Sequence, residues 1–272
     1  MKPEELRSLA WRTDLIFARY EGEVLERRDY LVIRTLSHPN YFWGNYLLFR
    51  EPPGPGDLVR WNWLYQAELA EGGPSDFVTL GWDDPEGRAG EVGPFTEMGF
   101  ERHASRVLTA SSVDRPPKYN DEIRVRPVTT DRDWEGVVET QLNGLHWYLK
   151  PDTQRDFVAR RAKVWRKMSE AGLGRRFGAF LGNRLVGDLG IYFDREAGRF
   201  NSVATHRDFL RQGVCGTLVY LSSLIALREM GAKYLVMVAD EDYHAAAIYE
   251  SVGFRPTERQ ASLEWFDRRR FD

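Results

Sequence analysis

The sequence predicts an α/β protein in which strands and helices alternate through two related halves. Three observations carry that expectation. Past residue 122 the chain reads as a strand, two helices, three strands, a helix, a strand, a helix and a last strand. Two of those strands close on a Gly182-Asn183 turn, a hairpin signal. A Tyr249-Glu-Ser-Val-Gly253-Phe254 ending in this half is echoed by Phe95-Thr-Glu-Met-Gly99-Phe100 in the first.

Each element of the second half has a local reason. Ser111-Ser-Val-Asp-Arg-Pro116-Pro117-Lys-Tyr-Asn-Asp121 lacks apolar periodicity, carries two prolines, and reads as a linker. Ile123 to Val128 alternates as a strand does. Thr130-Asp-Arg-Asp-Trp134 opens a helix with capping residues. A long helix follows from about Pro151 to Gly172, its apolar surface supplied by Phe157, Ala162, Val164, Trp165 and Met168. Phe177 to Leu181 and Leu185 to Phe193 form the hairpin, and Phe200 to Thr205 is the next strand. Cys215 to Met230 is a helix ended by Gly231. Tyr234 to Ala239 is continuously apolar, as buried central strands are. Tyr243 to Val252 is a short helix and Ala261 to Phe266 a last strand. The expected domains are 1–110 and 122–272, joined by 111–121.

The first half repeats this ending. Asp57 to Ala70 is a helix preceded by Pro52-Pro-Gly54-Pro-Gly56, and Phe77 to Trp82 matches the strand at Tyr234. Gly54 and Gly99 are 45 residues apart, and Gly213 and Gly253 are 40 apart. If the unit is duplicated, its first copy has lost its chemistry. Phe95 has no proton to give, and the prolines remove N–H donors from the loop.

The stretch Thr205-His-Arg-Asp-Phe-Leu-Arg-Gln-Gly213-Val-Cys-Gly-Thr-Leu-Val219 joins a strand to an apolar helix through a glycine loop. Such a helix leaves its first N–H groups unpaired, and they sit at the positive end of its dipole. That is a site for phosphate. Downstream, Asp242-Tyr-His-Ala245-Ala-Ala-Ile-Tyr249-Glu-Ser-Val-Gly253-Phe254 places a phenol four residues before Gly-Phe.

Together these motifs resemble the GNAT acetyltransferase family, over roughly residues 122 to 266. The family's loop reads Arg/Gln-x-x-Gly-x-Gly/Ala, where this chain has Leu210-x-x-Gly213-x-Cys215. Arg211 and Gly216 stand beside the two departures. The family's Asn-x-x-Ala-x-x-x-Tyr-x-x-x-Gly-Phe is matched at Ala245, Tyr249, Gly253 and Phe254, with Asp242 in the Asn slot. The resemblance implies a mixed, mostly antiparallel central sheet flanked by helices, and acyl transfer from acetyl-coenzyme A to an amine. It implies that Leu210, Arg211, Gln212, Gly213, Val214, Cys215, Gly216 and Thr217 cradle the pyrophosphate. Val203, Ala204 and Thr205 would hold the pantetheine arm where two strands part. Asp242, Ala245 and Ala246 complete the cofactor set.

Tyr249 is the candidate acid. A phenol with an unperturbed pKa of about 10 can protonate the leaving thiolate. Asp240 and Glu241 directly follow a buried strand, where ligands gather in open α/β sheets, and are the carboxylates from which a base would come. A water chain or a plain solvated role is open for them. His146, Trp147 and Tyr148 lie between the first two helices, where family members shape the acceptor pocket, and packing is open too. Cys215 reads as a small residue in a crowded loop rather than a nucleophile.

Composition narrows the rest. A 42% hydrophobic, 29% charged chain is of ordinary globular make-up. A net charge of −3 gives no nucleic-acid footprint. One cysteine excludes an internal disulfide, and no metal site is expected. No run of 18 apolar residues exists, so no membrane partner is expected, and the acidic N-terminus does not read as a signal peptide. The expectation is a cytoplasmic acyltransferase acting on a small-molecule or peptide amine. The alternative is a non-catalytic coenzyme A-binding, sensing or scaffold module on the same fold.

Overall fold

Punctuation by glycine and proline sets the elements of the computed structural model, which describes residues 1–35, 41–70, 76–144, 151–241 and 245–267. In chain order they are α1 (Leu9–Glu21), β1 (Glu23–Glu26), β2 (Tyr30–Arg34), β3 (Tyr46–Phe49), α2 (Asp57–Leu69), β4 (Phe77–Trp82), α3 (Gly93–Glu97) and β5 (Glu101–Ala110). Then come β6 (Arg124–Pro127), α4 (Asp131–Gly144), α5 (Pro151–Glu170), β7 (Gly174–Leu181), β8 (Arg184–Asp194) and β9 (Ala197–Thr205). The chain closes with α6 (Val214–Glu229), β10 (Tyr234–Asp240), α7 (Ala245–Ser251) and β11 (Arg255–Phe266). Two compact units result. The first is Met1–Val107 with Thr257–Asp272, and the second is Leu108–Pro256.

In the first unit the strands lie in the order β1-β2-β3-β4-β11-β5. β1, β2 and β3 are antiparallel neighbours, β3 and β4 are parallel, and β11 is antiparallel to β4. The last strand of the chain thus pairs within the unit that holds the first hundred residues, Leu263 standing opposite Leu80. In the second unit the order is β10-β9-β8-β7-β6. Only β9 and β10 are parallel there, and the other pairs are antiparallel. The β7–β8 hairpin turns at Gly182, whose φ of 58° is the left-handed conformation that glycine adopts without cost.

Both units repeat one pattern: two antiparallel strand pairings, a helix, a parallel strand and a short helix ending in Gly-Phe. The short helices end alike to the last hydrogen bond. Met98 N, Gly99 N and Phe100 N donate to Phe95 O, Thr96 O and Phe95 O at 3.1, 3.0 and 3.0 Å. Val252 N, Gly253 N and Phe254 N donate to Tyr249 O, Glu250 O and Tyr249 O at 3.0, 3.0 and 3.2 Å. The spacing also matches best from Gly56 rather than Gly54, because Gly56 and Gly213 are each the left-handed N-cap of the unit's main helix.

Alternation gives the second unit's sheet two different faces. Phe177, Ala179, Leu189, Ile191, Phe200 and Leu235 face the apolar core with Val214, Leu218 and Val219 of α6. Fully burying one such phenylalanine contributes about 1.5–3 kcal/mol. On the opposite face, Arg176, Asp188 and Arg199 are buried polar residues, with the buried Tyr192 beside them. α5 covers part of this face: the Tyr192 hydroxyl donates to Trp165 O at 3.1 Å. α6 stops where expected, with Gly231 at φ 82° and Ala232 N bonded to Ala226 O at 3.1 Å.

Segment 111–121 takes no regular structure but is fastened along the second unit. Asp114 N bonds Val252 O at 2.9 Å, and Asn120 N bonds Thr217 Oγ1 at 2.8 Å.

Candidate functional site

β9 and β10 begin as a parallel pair and then part. Three pairs are made: Tyr234 with Ala197, Leu235 with Gly198, and Val236 with Arg199. Beyond them β9 runs on to Thr205 and β10 to Asp240 without pairing each other. β9 remains attached to β8 on its other side, through Asp188–Ala204 and Gly187–Thr205. A bulge sits between, where Leu189 alone faces Ser202 and Val203, and Ser202 has φ 48°. Val203, Ala204 and Thr205 therefore lie on the strand that borders the gap, with main-chain polar groups that an extended ligand can pair as an added strand would.

The N-terminus of α6 follows directly. A 3-10 turn at Arg207–Phe209 leads through Leu210 and Arg211 to Gly213. Arg211 and Gly213 are left-handed, at φ 60° and 79°. A Cβ on Gly213 would lie 2.6 Å from the Lys118 carbonyl oxygen, so both its conformation and its surroundings require glycine. Thr217 N makes the helix's first bond, to Gly213 O at 3.1 Å. Among the described residues, no acceptor meets the N–H groups of Val214, Cys215 or Gly216. These donors stand at the positive end of a 16-residue helix, an arrangement that favours an anion.

Of the expected cofactor residues, Leu210, Arg211 and Gln212 are exposed on the loop, whereas Val214, Gly216 and Thr217 are buried. Val214 can thus offer only its backbone. The Cys215 thiol is pushed up to about 12 by burial, against the lowering hydrogen bond with Thr205. It stays protonated near neutrality and is no nucleophile. Ala245 and Ala246 are core residues of α7. Tyr249 is also buried, on the same short helix. Asp240 is exposed at the end of β10, and Glu241 is half-buried in the turn after it. Asp242 and the His146, Trp147 and Tyr148 group lie outside the described residues.

Sequence reasoning missed Lys118 and Asn120. Lys118 Nζ hydrogen-bonds Arg211 O, and Asn120 Nδ2 donates to Gln212 O at 2.8 Å. Both hold the glycine loop from outside it, and Lys118 brings a cation to the start of α6. Their segment looked like a linker because such bonds leave no periodicity in sequence.

The same place in the first unit is closed. β3 and β4 stay paired to their ends, Phe49 facing Trp82, and Asp83 N continues the ladder to Phe49 O at 2.8 Å. Trp61 stacks on Phe49 at 3.8 Å and 3°, with Trp82 and Phe95 around it. At the helix start the Asp57 carboxylate accepts from Gly54 N at 2.8 Å and pairs with Arg60 at 3.0 Å. A negative charge thus stands beside this helix start, where it would repel an anion.

Compared by sequence, the chain matches no protein-family model and no curated protein. Among solved structures it is similar to a conserved protein of unknown function from Staphylococcus epidermidis, with a TM-score of 0.72, 12% identity, and 90% of this chain and 93% of that one covered. It is similar to a GCN5-related N-acetyltransferase from Kribbella flavida, with a TM-score of 0.66, 12% identity, and coverage of 95% and 96%. A tandem GNAT protein of the clavulanic acid biosynthesis pathway matches with a TM-score of 0.51, 17% identity, and coverage of 77% and 68%. The chain has the fold of the GNAT superfamily, the mixed and mostly antiparallel architecture that the motifs implied.

Proposed function

We propose that this chain is an acyl-coenzyme A-dependent N-acyltransferase whose single working site lies in the second unit. The acyl group is acetyl in this reading, and the acceptor is a primary amine of a small molecule or peptide. One observation carries the reading: the gap between β9 and β10 leads directly to the uncapped, glycine-started helix α6. The gap suits an extended amide-bearing arm, and the helix start suits the pyrophosphate attached to it. Gly213, Val214, Cys215 and Gly216 would bind phosphate through main-chain N–H groups, with Lys118 and Arg211 adding charge. Val203 to Thr205 would pair the arm.

Transfer would be direct within a ternary complex, so that holding amine and thioester together supplies much of the rate. The amine attacks the thioester carbonyl, the carbon–sulfur bond breaks, and Tyr249 gives its proton to the departing thiolate. Asp240 or Glu241, at the end of the β10 side of the gap, would take the proton lost by the amine. The test is release of free thiol from acetyl-coenzyme A in the presence of a mixed panel of amines. Acceptor-dependent release supports transfer. Coenzyme A binding with no release for any amine would point to a sensing module, and no binding would reject the reading.

A further inference from the structure

The polar face of the second unit's sheet holds a buried ion pair that the acyl-transfer reading does not use. Arg176 on β7 and Asp188 on β8 both have side chains with no solvent exposure. Arg176 Nε donates to Asp188 Oδ1 at 2.6 Å, and Nη2 bonds the same oxygen. The guanidinium stacks on Trp165 of α5, 3.9 Å from the ring centroid. Gln141 of α4 adds a third donor to that oxygen, Nε2 lying 3.1 Å away.

The two donors that meet on Asp188 also converge on one backbone atom. The Ser202 carbonyl accepts from Gln141 Nε2 at 2.9 Å and from Arg176 Nη2 at 3.1 Å. Ser202 is the bulged, left-handed residue of β9, a conformation costing a non-glycine residue about 1–2 kcal/mol. Strain of that kind persists only where the surroundings over-determine it. A buried ion pair is a poor source of stability, because apolar residues of similar volume usually serve as well. It does fix direction, and here the direction is that of the strand bordering the gap.

We infer that Arg176, Asp188 and Gln141 are positioning residues: Arg176 and Gln141 grip the Ser202 carbonyl, Asp188 holds both donors in place, and together they fix the β9 bulge and so set the course of Val203–Thr205 along the gap. The inference rests on the proposed use of that gap by the pantetheine arm of an acyl-coenzyme A. The bulge advances β9 by one residue against β8, so its loss would shift the register of Ala204 and Thr205. The loop that would bind phosphate at α6 is held by other contacts, those of Lys118 and Asn120.

The test uses the full chain with Gln141→Leu, and with Arg176→Met and Asp188→Leu made together so that no charge is left unpaired. Gln141→Leu keeps the ion pair and serves if the double variant does not fold. Amide hydrogen exchange of the ligand-free protein is measured first. Exchange at Ser202–Thr205 should quicken about tenfold or more, while the β7–β8 amides keep their protection. Calorimetry follows, with coenzyme A and with adenosine 3′,5′-bisphosphate, which lacks the pantetheine arm. Affinity for coenzyme A should fall about 10- to 100-fold, and that for the bisphosphate should hold. Unchanged exchange at Ser202–Thr205 would overturn the inference, as would equal loss of both ligands or loosening throughout the unit. If the parent binds neither ligand, the acyltransferase reading fails, and the exchange result still decides the latch.

Discussion

Gly56 and Gly213 are equivalent residues with opposite consequences. Each is the left-handed N-cap of its unit's main helix, at φ 83°, ψ −5° and φ 79°, ψ 0°. After Gly213 come Val214, Cys215 and Gly216, whose amides meet no acceptor among the described residues. After Gly56 comes Asp57, whose carboxylate turns back on Gly54 N. One helix start offers its amides to an anion with no acidic side chain beside them, and the other begins with a carboxylate, which repels one.

Coenzyme A should therefore bind once per chain. Calorimetry on the intact protein should give a stoichiometry of one, and Asp57→Asn should not change it, because Trp61 stacked on Phe49 still fills the first unit where the second is open. Two equivalent sites would show that the first unit is not closed.

Gly213→Ala should cost most of the cofactor affinity while leaving the protein folded. The added Cβ would stand 2.6 Å from Lys118 O at φ 79°. The left-handed conformation alone costs an alanine about 1–2 kcal/mol. Relief requires the loop to move, and the phosphate-binding amides move with it. Thermal unfolding and a coenzyme A titration separate the two effects, and undiminished affinity would place the phosphate site elsewhere.

Much of the candidate site's local geometry was legible because its parts are local. Gly213, Tyr249 and Gly253 each serve a turn or a helix end that their immediate neighbours specify. The gap was legible only through resemblance, since nothing in Asn201 to Thr205 announces where pairing stops. The Arg176–Asp188–Gln141 cluster was not legible at all. Its members are 35 and 47 residues apart from Gln141 in sequence, and only folding makes them neighbours. The first unit's α1, β1, β2 and β3 were likewise unread, because short strands there carry no turn motif as plain as Gly182-Asn183. The pairing of β11 with β4 joins residues some 180 positions apart, a choice that local pattern cannot make.

Removing residues 1–117 should yield poorly soluble protein. The cut deletes β4, which pairs with β11 from Ser262 to Phe266. Ala261 and Leu263 pack with Trp61, Trp82 and Phe95, all of which would be gone. A strand edge and an apolar surface would be exposed together. A soluble fragment with full parental activity would show that β11 does not need its partner strand.

Cys215 should resist alkylation. With its thiol held up to about 12 by burial, hardly any thiolate exists at pH 8. Iodoacetamide should label the folded chain far more slowly than the same chain in denaturant. The sign of the linked stability effect follows. The unfolded thiol ionises first, so the contribution is complete below its ordinary value of 9.0 and is lost as pH rises from there towards about 12. Rapid labelling of the native protein would mean that partial burial does not raise the thiol.

Tyr249→Phe should lower turnover and spare cofactor affinity. Phe95 holds the equivalent place in the first unit, fully buried and with the same carbonyl bonds to the turn that follows. A ring without a hydroxyl therefore fits this frame, and the variant should keep its fold. Losing a general acid typically costs about 100- to 10,000-fold in rate. The loss should shrink for an acyl thioester whose leaving thiol is more acidic, because that thiolate needs less help from a proton. Steady-state rates with two such thioesters and one amine make the comparison. An equal loss for both would assign Tyr249 to positioning, and no loss for either would remove it from the mechanism.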